Sequence, residues 1–356
     1  MATSGTLSTT TFTTRKVIDR AFRRCQIAPE TITAEHIDIA TDNLFLSLSA
    51  LVNRGIALWC IEKLILPTYQ GQAQIELPLG TVDLLNQTYR TVTRLDGSDT
   101  SSAGGTVGNA FDDDFATACT QTSTLGNIMT DFTDDTLVTT VGLLPNASAT
   151  QTLVFERSDD NSTWTSVYAP GSTAYVAGTW VWYDLDGNIA ARYFRVRATV
   201  GTLAFREIYW GGTPTEIALA RLNQDDYTNL PNKTFGGQPT QFWLNRLRGG
   251  SDSLATMYLW PVTDLTHRYD QLVVWRQRYI QDVGTLAQEV EVPQRWYRYV
   301  TKQLASDLAE EFPEQVDPAR ALLLAQAAGA EWKEAQTEER DNSPITFTPQ
   351  IRVYTR

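Results

Sequence analysis

The chain has 356 residues, of which 42% are hydrophobic and 20% charged, and this composition excludes a disordered or fibrous protein. Its 41 acidic residues outnumber its 29 basic residues, and the formal net charge of -12 argues against a protein that wraps nucleic acid with its whole surface but leaves a local basic patch open. The N-terminal residues contain no apolar stretch typical of a secretory signal, and we expect no bilayer-spanning segment.

The first part of the chain shows mainly helical periodicity. Apolar residues recur at three- and four-residue spacing over Arg15–Cys25 and again in a longer stretch that ends at Gly55, which predicts two helices. We expect the helical pattern to resume over Ile56–Ile65. Alternating residues at Gln74–Leu77 and Leu84–Thr93 then predict two strands.

The first predicted helix has one strongly basic face, which consists of Arg15, Lys16, Arg20, Arg23 and Arg24. Such a face could contact DNA, pair with an acidic neighbouring subunit or simply be solvated. The sequence leaves these three alternatives open.

At Asp96 the composition changes to one rich in Thr, Ser, Gly and Asp, and helical periodicity is absent as far as Gly212. Short alternating runs, separated by turn-forming residues, predict strands at Thr152–Arg157, Thr165–Tyr168, Trp180–Tyr183, Tyr193–Ala198 and Phe205–Trp210. This pattern is typical of an all-β sandwich or barrel. The block contains 14 acidic and 5 basic residues, so it carries most of the negative charge.

Helices and strands are mixed again from Thr213 onward. A hairpin is predicted from Gln241–Arg246 and Met257–Trp260, since both runs alternate and a glycine-rich turn lies between them. Pro293 and Asp317 mark the starts of two long helices.

The predicted fold class is therefore α+β, with an α-helical domain that contains a few strands and is interrupted by an all-β sandwich. We assign the helical domain to residues 1–95 and 213–344, the inserted sandwich to residues 96–212, and an extended tail to residues 345–356. Because an insertion must leave the host fold in register, we expect the two ends of the inserted block to lie close together.

The C-terminal tail alternates and retains apolar residues, namely Ile345, Phe347, Ile351, Val353 and Tyr354. An extended apolar segment satisfies its backbone groups by adding to a neighbouring sheet or groove, which predicts docking on a partner protein. The alternative is a frayed terminus.

Several short motifs flank the middle block in a fixed order, namely Asn53-Arg54-Gly55-Ile56, Pro67-Thr68-Tyr69-Gln70-Gly71, Gly237-Gln238-Pro239-Thr240, Leu259-Trp260-Pro261 and Pro293-Gln294-Arg295-Trp296. In this order and spacing they resemble the head-to-tail adaptor, or packaged-DNA stabilisation protein, of short-tailed phages.

The adaptor resemblance implies a homo-oligomeric ring of twelve subunits without catalytic activity. Its partners would be the portal protein, on which the tail would dock, and a tail nozzle or tail hub protein, and packaged DNA would pass through the channel. The protein would be made in the host cytoplasm and would lie in the virion at the portal–tail junction, away from any membrane.

The middle block has its own family features. Asn109-Ala110-Phe111-Asp112-Asp113-Asp114 precedes Thr117, and Ala191-Arg192-Tyr193-Phe194-Arg195-Val196 and Phe205-Arg206-Glu207-Ile208-Tyr209-Trp210 follow. This order is similar to that of discoidin, or F5/8 type C, domains, which implies a galactose-binding-like jelly roll. The sequence departs from the family at Asp113, where a glycine is usual.

The resemblance also suggests ligands for this block. Asp112, Asp113 and Asp114 could hold Ca²⁺ through their oxygens, or they could form a solvated acidic loop. Trp164, Trp180 and Trp182 could stack on a sugar, or they could belong to the strand core. The alternative function to a virion adaptor is therefore a carbohydrate-binding module that recognises a host-surface glycan.

An enzyme is not expected. The two histidines lie far apart in the sequence, the three cysteines lack zinc-ligand spacing, and no glycine pair follows the strand-to-helix pattern of a phosphate-binding loop. Apart from the Ca²⁺ considered above, no cofactor is predicted.

Overall fold

A computed structural model of the chain describes residues 11–53, 58–185, 190–246 and 254–338. The helices are α1 (Thr14–Cys25), α2 (Ala34–Asn53), α3 (Gln224–Thr228), α4 (Tyr297–Glu311) and α5 (Pro318–Glu338). The strands are β1 (Ile61–Pro67), β2 (Gln74–Glu76), β3 (Thr81–Arg94), β4 (Ser98–Ser101), β5 (Cys119–Thr120), β6 (Asn127–Thr136), β7 (Thr140–Pro145), β8 (Ala149–Ser158), β9 (Thr165–Tyr175), β10 (Val181–Asp184), β11 (Ala191–Val200), β12 (Ala204–Ala218), β13 (Ala220–Leu222), β14 (Gln241–Asn245), β15 (Thr256–Trp260) and β16 (Gln271–Arg278). The fold is thus α+β and includes a β-sandwich.

The chain divides into two compact units. The first comprises Met1–Glu62 with Gln277–Arg356, and the second comprises Lys63–Arg276. The limits predicted for the inserted domain, at 95/96 and 212/213, lie inside the second unit, where β12 runs through the second of them. Those domain limits stay a prediction.

Helices from both ends of the chain form the first unit. In α1 the Thr13 side chain accepts a hydrogen bond from the Lys16 amide at 3.4 Å, and Gln26 ends the helix with a left-handed φ of 64°. The apolar stripe of α1 is fully buried, and α1 contacts α4, which also contacts α2 and α5. Trp296, just before α4, is completely buried. The unit is therefore built around α4.

One predicted helix is wrong. The structure has a 3-10 turn at Leu58–Cys60 followed by strand β1, whereas we expected helix over Ile56–Ile65. Residues 54–57 lie outside the described residues. A short apolar run fits either helix or strand, and here pairing of β1 with β16 decides for the strand.

The β-sandwich has two layers within the second unit. One layer is a five-stranded sheet in the order β4-β6-β11-β8-β9, and the other contains β12, β7 and β10, with β5 paired to β12. Between them lie buried large side chains from both layers, such as Phe155, Phe194, Phe205 and Trp210. The Trp210 indole donates a hydrogen bond to the Thr130 hydroxyl at 2.8 Å, so the layers are also joined by a polar contact.

Strand β12 continues beyond the sandwich and pairs there with a second strand. Its first part pairs with β7, and its second part pairs with β3. At the transition, Gly211 lies opposite Arg94, and the Leu95 amide donates to the Trp210 carbonyl at 2.8 Å. The two ends of the inserted block are therefore adjacent, which confirms that expectation.

A third sheet completes the second unit, with strand order β13-β14-β15-β2. The predicted hairpin is confirmed, because β14 and β15 pair antiparallel with Phe242 opposite Leu259. These two side chains and Met257 are fully buried on one face of this sheet. In the described part of the chain, no helix combines the length and the apolar character that crossing a membrane would require.

Candidate functional site

The outer face of the five-stranded sheet carries a cluster of arginine, acidic and aromatic side chains. Along β11, Phe194 and Val196 point into the sandwich core, so Arg195 and Arg197 point to the opposite face. The register places Arg195 beside Glu156 of β8. We call this surface the arginine–tryptophan face; it consists of Asp131, Glu156, Trp164, Arg192, Tyr193, Arg195 and Arg197.

Glu156 holds the centre of the arginine–tryptophan face. Its carboxylate accepts hydrogen bonds from Arg195 Nε at 2.6 Å and from Arg197 Nε and Nη2 at 2.9 and 2.7 Å. Burial of Glu156 opposes its charged form, but the hydrogen bonds from the two arginines outweigh burial and hold the carboxyl pKa below its ordinary value. The carboxylate therefore remains ionised and fixes both guanidinium groups.

Trp164 lies at one side of this cluster, directly before β9. The Arg195 guanidinium carbon sits 3.8 Å from the centre of the Trp164 ring, and the indole is half-buried. Trp180 and Trp182 instead lie in the interior, where their rings stack 5.2 Å apart. The strand-core interpretation thus holds for Trp180 and Trp182, and Trp164 is the accessible tryptophan of the three.

A second ion pair extends the face toward the end of the sheet. Arg192 Nε and Nη2 each donate to an oxygen of Asp131 at 2.8 Å. The hydrogen bond from Arg192 is the main reason that the pKa of Asp131 falls to about 2. The same guanidinium lies 4.8 Å from the Tyr193 ring centre. The face thus offers fixed N–H donors, carboxylate acceptors and two aromatic rings.

The acidic loop from Asp112 to Asp114 turns its three carboxylates to different partners. Asp112 accepts from the Thr117 hydroxyl at 2.8 Å, and Asp114 accepts from the Ala116 amide at 3.0 Å. Asp113 pairs with Arg94 and has a left-handed φ of 62°, a conformation that suits the glycine usual at this position and that aspartate tolerates.

Arg94 places a positive charge beside this loop. Besides the Asp113 carboxylate, its guanidinium contacts the Phe111 carbonyl oxygen at 2.8 Å and lies 3.9 Å from Glu207. Glu207 is 1% exposed, and its Oε1 atom has no hydrogen-bond partner among the described residues. Burial is the main reason that the pKa of Glu207 rises to about 8. This buried carboxyl is therefore mostly neutral at pH 7.

These contacts bear on the Ca²⁺ site predicted at this loop. A calcium ion needs several charged or carbonyl oxygens around one point, and here an arginine already neutralises Asp113 while Glu207 is largely protonated. Within the described ranges no group of three His, Cys, Asp or Glu side chains is arranged to hold a metal. The calcium site at Asp112, Asp113 and Asp114 stays a prediction.

The other predicted site residues lie elsewhere. The basic residues of α1 are on the helical unit, where Arg15 pairs with Asp19 at 2.9 Å and Arg20 lies over the Phe12 ring. The tail residues predicted to dock on a portal, Ile345, Phe347, Ile351, Val353 and Tyr354, fall outside the described residues.

Sequence reasoning did not single out Glu156, Arg94 or Glu207 as site residues, although Glu207 lies in one of the motifs that resemble the F5/8 type C domain. The alternation of arginines in Ala191–Val200 could have indicated one polar face of a strand, but only the strand register brings Glu156 to that face. No signal in the sequence distinguishes the buried Glu207 from an ordinary exposed strand residue.

Comparison with protein families confirms the expectation for the middle block. Residues 95–208 match the F5/8 type C domain, and this match covers about a third of the chain. Among curated proteins none matches the chain. The adaptor resemblance of the flanking segments is not shown by these comparisons and stays a prediction.

Solved structures similar to the chain include carbohydrate-binding modules. The CBM32 of AlyQ, in complex with 4,5-unsaturated mannuronic acid, has 19% identity and a TM-score of 0.30, and the alignment covers 33% of this chain and 97% of that one. Chitosan-binding module 1 of a Paenibacillus sp. IK-5 chitosanase/glucanase has 23% identity and a TM-score of 0.29, with coverage of 33% and 97%. CBM32-1 of a Clostridium perfringens family 31 glycoside hydrolase has 15% identity and a TM-score of 0.30, with coverage of 33% and 96%.

The raised pKa of Glu207 predicts a specific pH dependence of stability. The unfolded chain ionises this carboxyl near its ordinary value of 4.5, whereas the folded chain keeps the proton up to a pKa of about 8. Stability from this group is complete below pH 4.5 and is lost as pH rises to 8, with a slope of about 1.4 kcal/mol per pH unit. Glu207→Gln should remove this fall, measured by urea unfolding across that pH range.

Glu216→Gln is the matched control for this measurement. Glu216 lies on the same strand, and although burial opposes its ionisation, Arg90 holds its pKa below the ordinary value, so its contribution is lost as pH falls rather than rises. Glu216→Gln should therefore keep the fall in stability between pH 4.5 and 8. If the free energy of unfolding of Glu207→Gln changes with pH in the same way as that of the original chain, the raised pKa of Glu207 would be contradicted.

Proposed function

We propose that the chain binds carbohydrate through the arginine–tryptophan face of its F5/8 type C domain. The observation that carries the proposal is the half-buried Trp164 ring on the outer face of the five-stranded sheet, within the matched residues. The Arg195 guanidinium contacts one face of this ring at 3.8 Å. An indole ring and fixed planar hydrogen-bonding groups lie together there, and sugars need both.

The chemistry of a sugar ring matches these groups. One side of a pyranose presents C–H groups, which pack on an aromatic ring, and its hydroxyls both donate and accept hydrogen bonds. Arg195 and Arg197 supply donors in fixed directions because Glu156 holds them, so little side-chain entropy is lost when a ligand binds. Strands rather than loops carry these side chains, which favours a preformed site.

The charge of the face indicates which saccharides fit. Residues 96–212 contain only 5 basic residues, and Arg192, Arg195 and Arg197 all lie on this face. Two carboxylates, those of Asp131 and Glu156, pair with these three guanidinium groups. Asp134 also lies close enough to act on Arg192, so the local charges balance, which favours neutral saccharides over charged ones.

A glycan array with the full chain tests this function. The original protein should bind at least one glycan class, and Trp164→Ala should weaken that binding about tenfold or more, since it removes the aromatic surface. Trp275→Ala is the matched control, because Trp275 is also an accessible tryptophan, 41% exposed, but lies on β16 outside the F5/8 type C match. Isothermal titration with the best glycan would give the affinities.

Two results would contradict the proposal. If no glycan on the array binds the protein at high concentration, the proposed carbohydrate-binding function is wrong. If both tryptophan variants lose the same amount of glycan affinity, the assignment of binding to the arginine–tryptophan face is wrong. Thermal unfolding of both variants shows whether a loss of binding comes from unfolding.

As a second function we propose the head-to-tail adaptor role in a phage virion. The observation that favours it is the helical unit, in which α1 and α2 from the start of the chain pack with α4 from its end. An adaptor domain interrupted by an insertion would be organised in this way. Carbohydrate binding by an inserted domain is compatible with such a role.

Ring assembly tests the second function. Purified protein mixed with a portal protein from a short-tailed phage should give closed rings in negative-stain electron microscopy, and deletion of Ile345–Arg356 should prevent portal binding while leaving the melting temperature nearly unchanged. If the protein remains monomeric at high concentration in the presence of the portal protein, the adaptor role would be contradicted. Normal portal binding by the shortened protein would contradict the docking function of the tail.

A further inference from the structure

A cavity of about 250 Å³ lies between the second half of α1 and the start of α4, within the helical unit. Its walls include the side chains of Arg20, Arg24 and Arg298 and the rings of Phe12 and Tyr297. We call it the arginine cavity. It is separate from the arginine–tryptophan face, which belongs to the other unit of the chain.

Packing of two aromatic rings holds the wall of the arginine cavity in place. The Phe12 and Tyr297 rings stack with their centres 4.8 Å apart, and the Phe12 amide donates to the Tyr297 hydroxyl at 3.2 Å. The Arg20 guanidinium carbon lies 4.3 Å from the centre of the Phe12 ring. Arg24 follows Arg20 by one helical turn and thus shares its side of α1.

The arginine cavity has an excess of positive charge. Arg298 pairs with Glu331 at 2.7 Å, but the same Glu331 oxygen also accepts from Lys302 at 2.6 Å. Within the described residues neither Arg20 nor Arg24 has a carboxylate at ion-pairing distance, whereas Arg15 on the same helix pairs with Asp19. In a chain with a net charge of -12, two unpaired arginines beside a cavity indicate an anionic ligand.

We propose that the arginine cavity binds a phosphate group of a nucleic-acid backbone. Guanidinium groups match the oxygens of a phosphate in geometry as well as charge. Lys16 and Arg23 are exposed on the same helix, so positive charge continues along α1 outside the cavity. Successive charges one turn apart are separated by about 6 Å, which suits a chain of phosphates better than one isolated anion.

The contacts of Phe12 define what this site would recognise. Tyr297 and Arg20 already engage the Phe12 ring, so charged groups rather than base stacking supply the ligand contacts. Phosphate contacts fix position without reading the base sequence. Binding is therefore independent of sequence and decreases strongly with salt.

Fluorescence anisotropy with the full chain and a short labelled DNA duplex tests the proposal. Arg20→Ala/Arg24→Ala should weaken binding about tenfold or more and lower the slope of log affinity against log salt by about two. Arg206→Ala/Lys233→Ala is the matched control, because it removes the same charge from residues of the second unit that neither line the cavity nor belong to α1. The control should weaken binding less than about threefold.

A further variant and two competitors make the outcome decisive. Arg298→Gln changes the cavity from α4 and should also weaken DNA binding, so the test does not depend on one helix keeping its fold. Equal effects of the two double variants, or no binding by the original chain at low salt, would overturn the cavity as the site. If the chain binds poly-glutamate more tightly than DNA, the ligand is not a nucleic acid. The same conclusion follows if inorganic phosphate binds as tightly as the duplex.

Discussion

Strand β12 is the element on which the whole second unit depends. Its first part pairs with β7 of the sandwich and its second part with β3, and the register shifts between Gly211 and Pro214 where the partner changes. A continuous strand cannot rotate in one sheet without breaking hydrogen bonds in the other. The orientation of the sandwich within this unit is therefore set by backbone pairing, and side-chain contacts such as that of Tyr269 with Trp180 add to it.

This constraint extends to the arginine–tryptophan face. From β12 the Trp210 indole bonds to Thr130 of β6, and the next residue of β6 is Asp131, the partner of Arg192. The core of the sandwich thus fixes the strand that carries one end of the proposed binding surface. On the other side of β12, Arg94 and Glu207 link the acidic loop to the same strand. There Arg94 pairs with Asp113 of the loop and lies 3.9 Å from the buried Glu207 carboxyl.

The amount that the sequence reveals depends on how local each feature is. Alternation in Tyr193–Ala198 and turn residues between the runs predicted the sandwich, because strand periodicity is a local property. The strand at Ile61–Pro67 was not predicted, since its pairing with β16 involves residues about 200 positions away. For the same reason the contact of Glu156 with Arg195 depends on a register between distant strands. The burial of Glu207 follows from three-dimensional packing, which no sequence pattern shows.

Native-state hydrogen exchange along β12 tests most directly whether one strand unites the sandwich with the adjoining sheet. The account predicts that amides that pair with β7, such as that of Tyr209, and amides that pair with β3, such as that of Ile217, become exposed in the same cooperative opening. Their free energies of opening should then agree and fall together when denaturant is added. The account would be contradicted if the amides of β12 that pair with β7 opened at a clearly lower free energy while those that pair with β3 stayed protected.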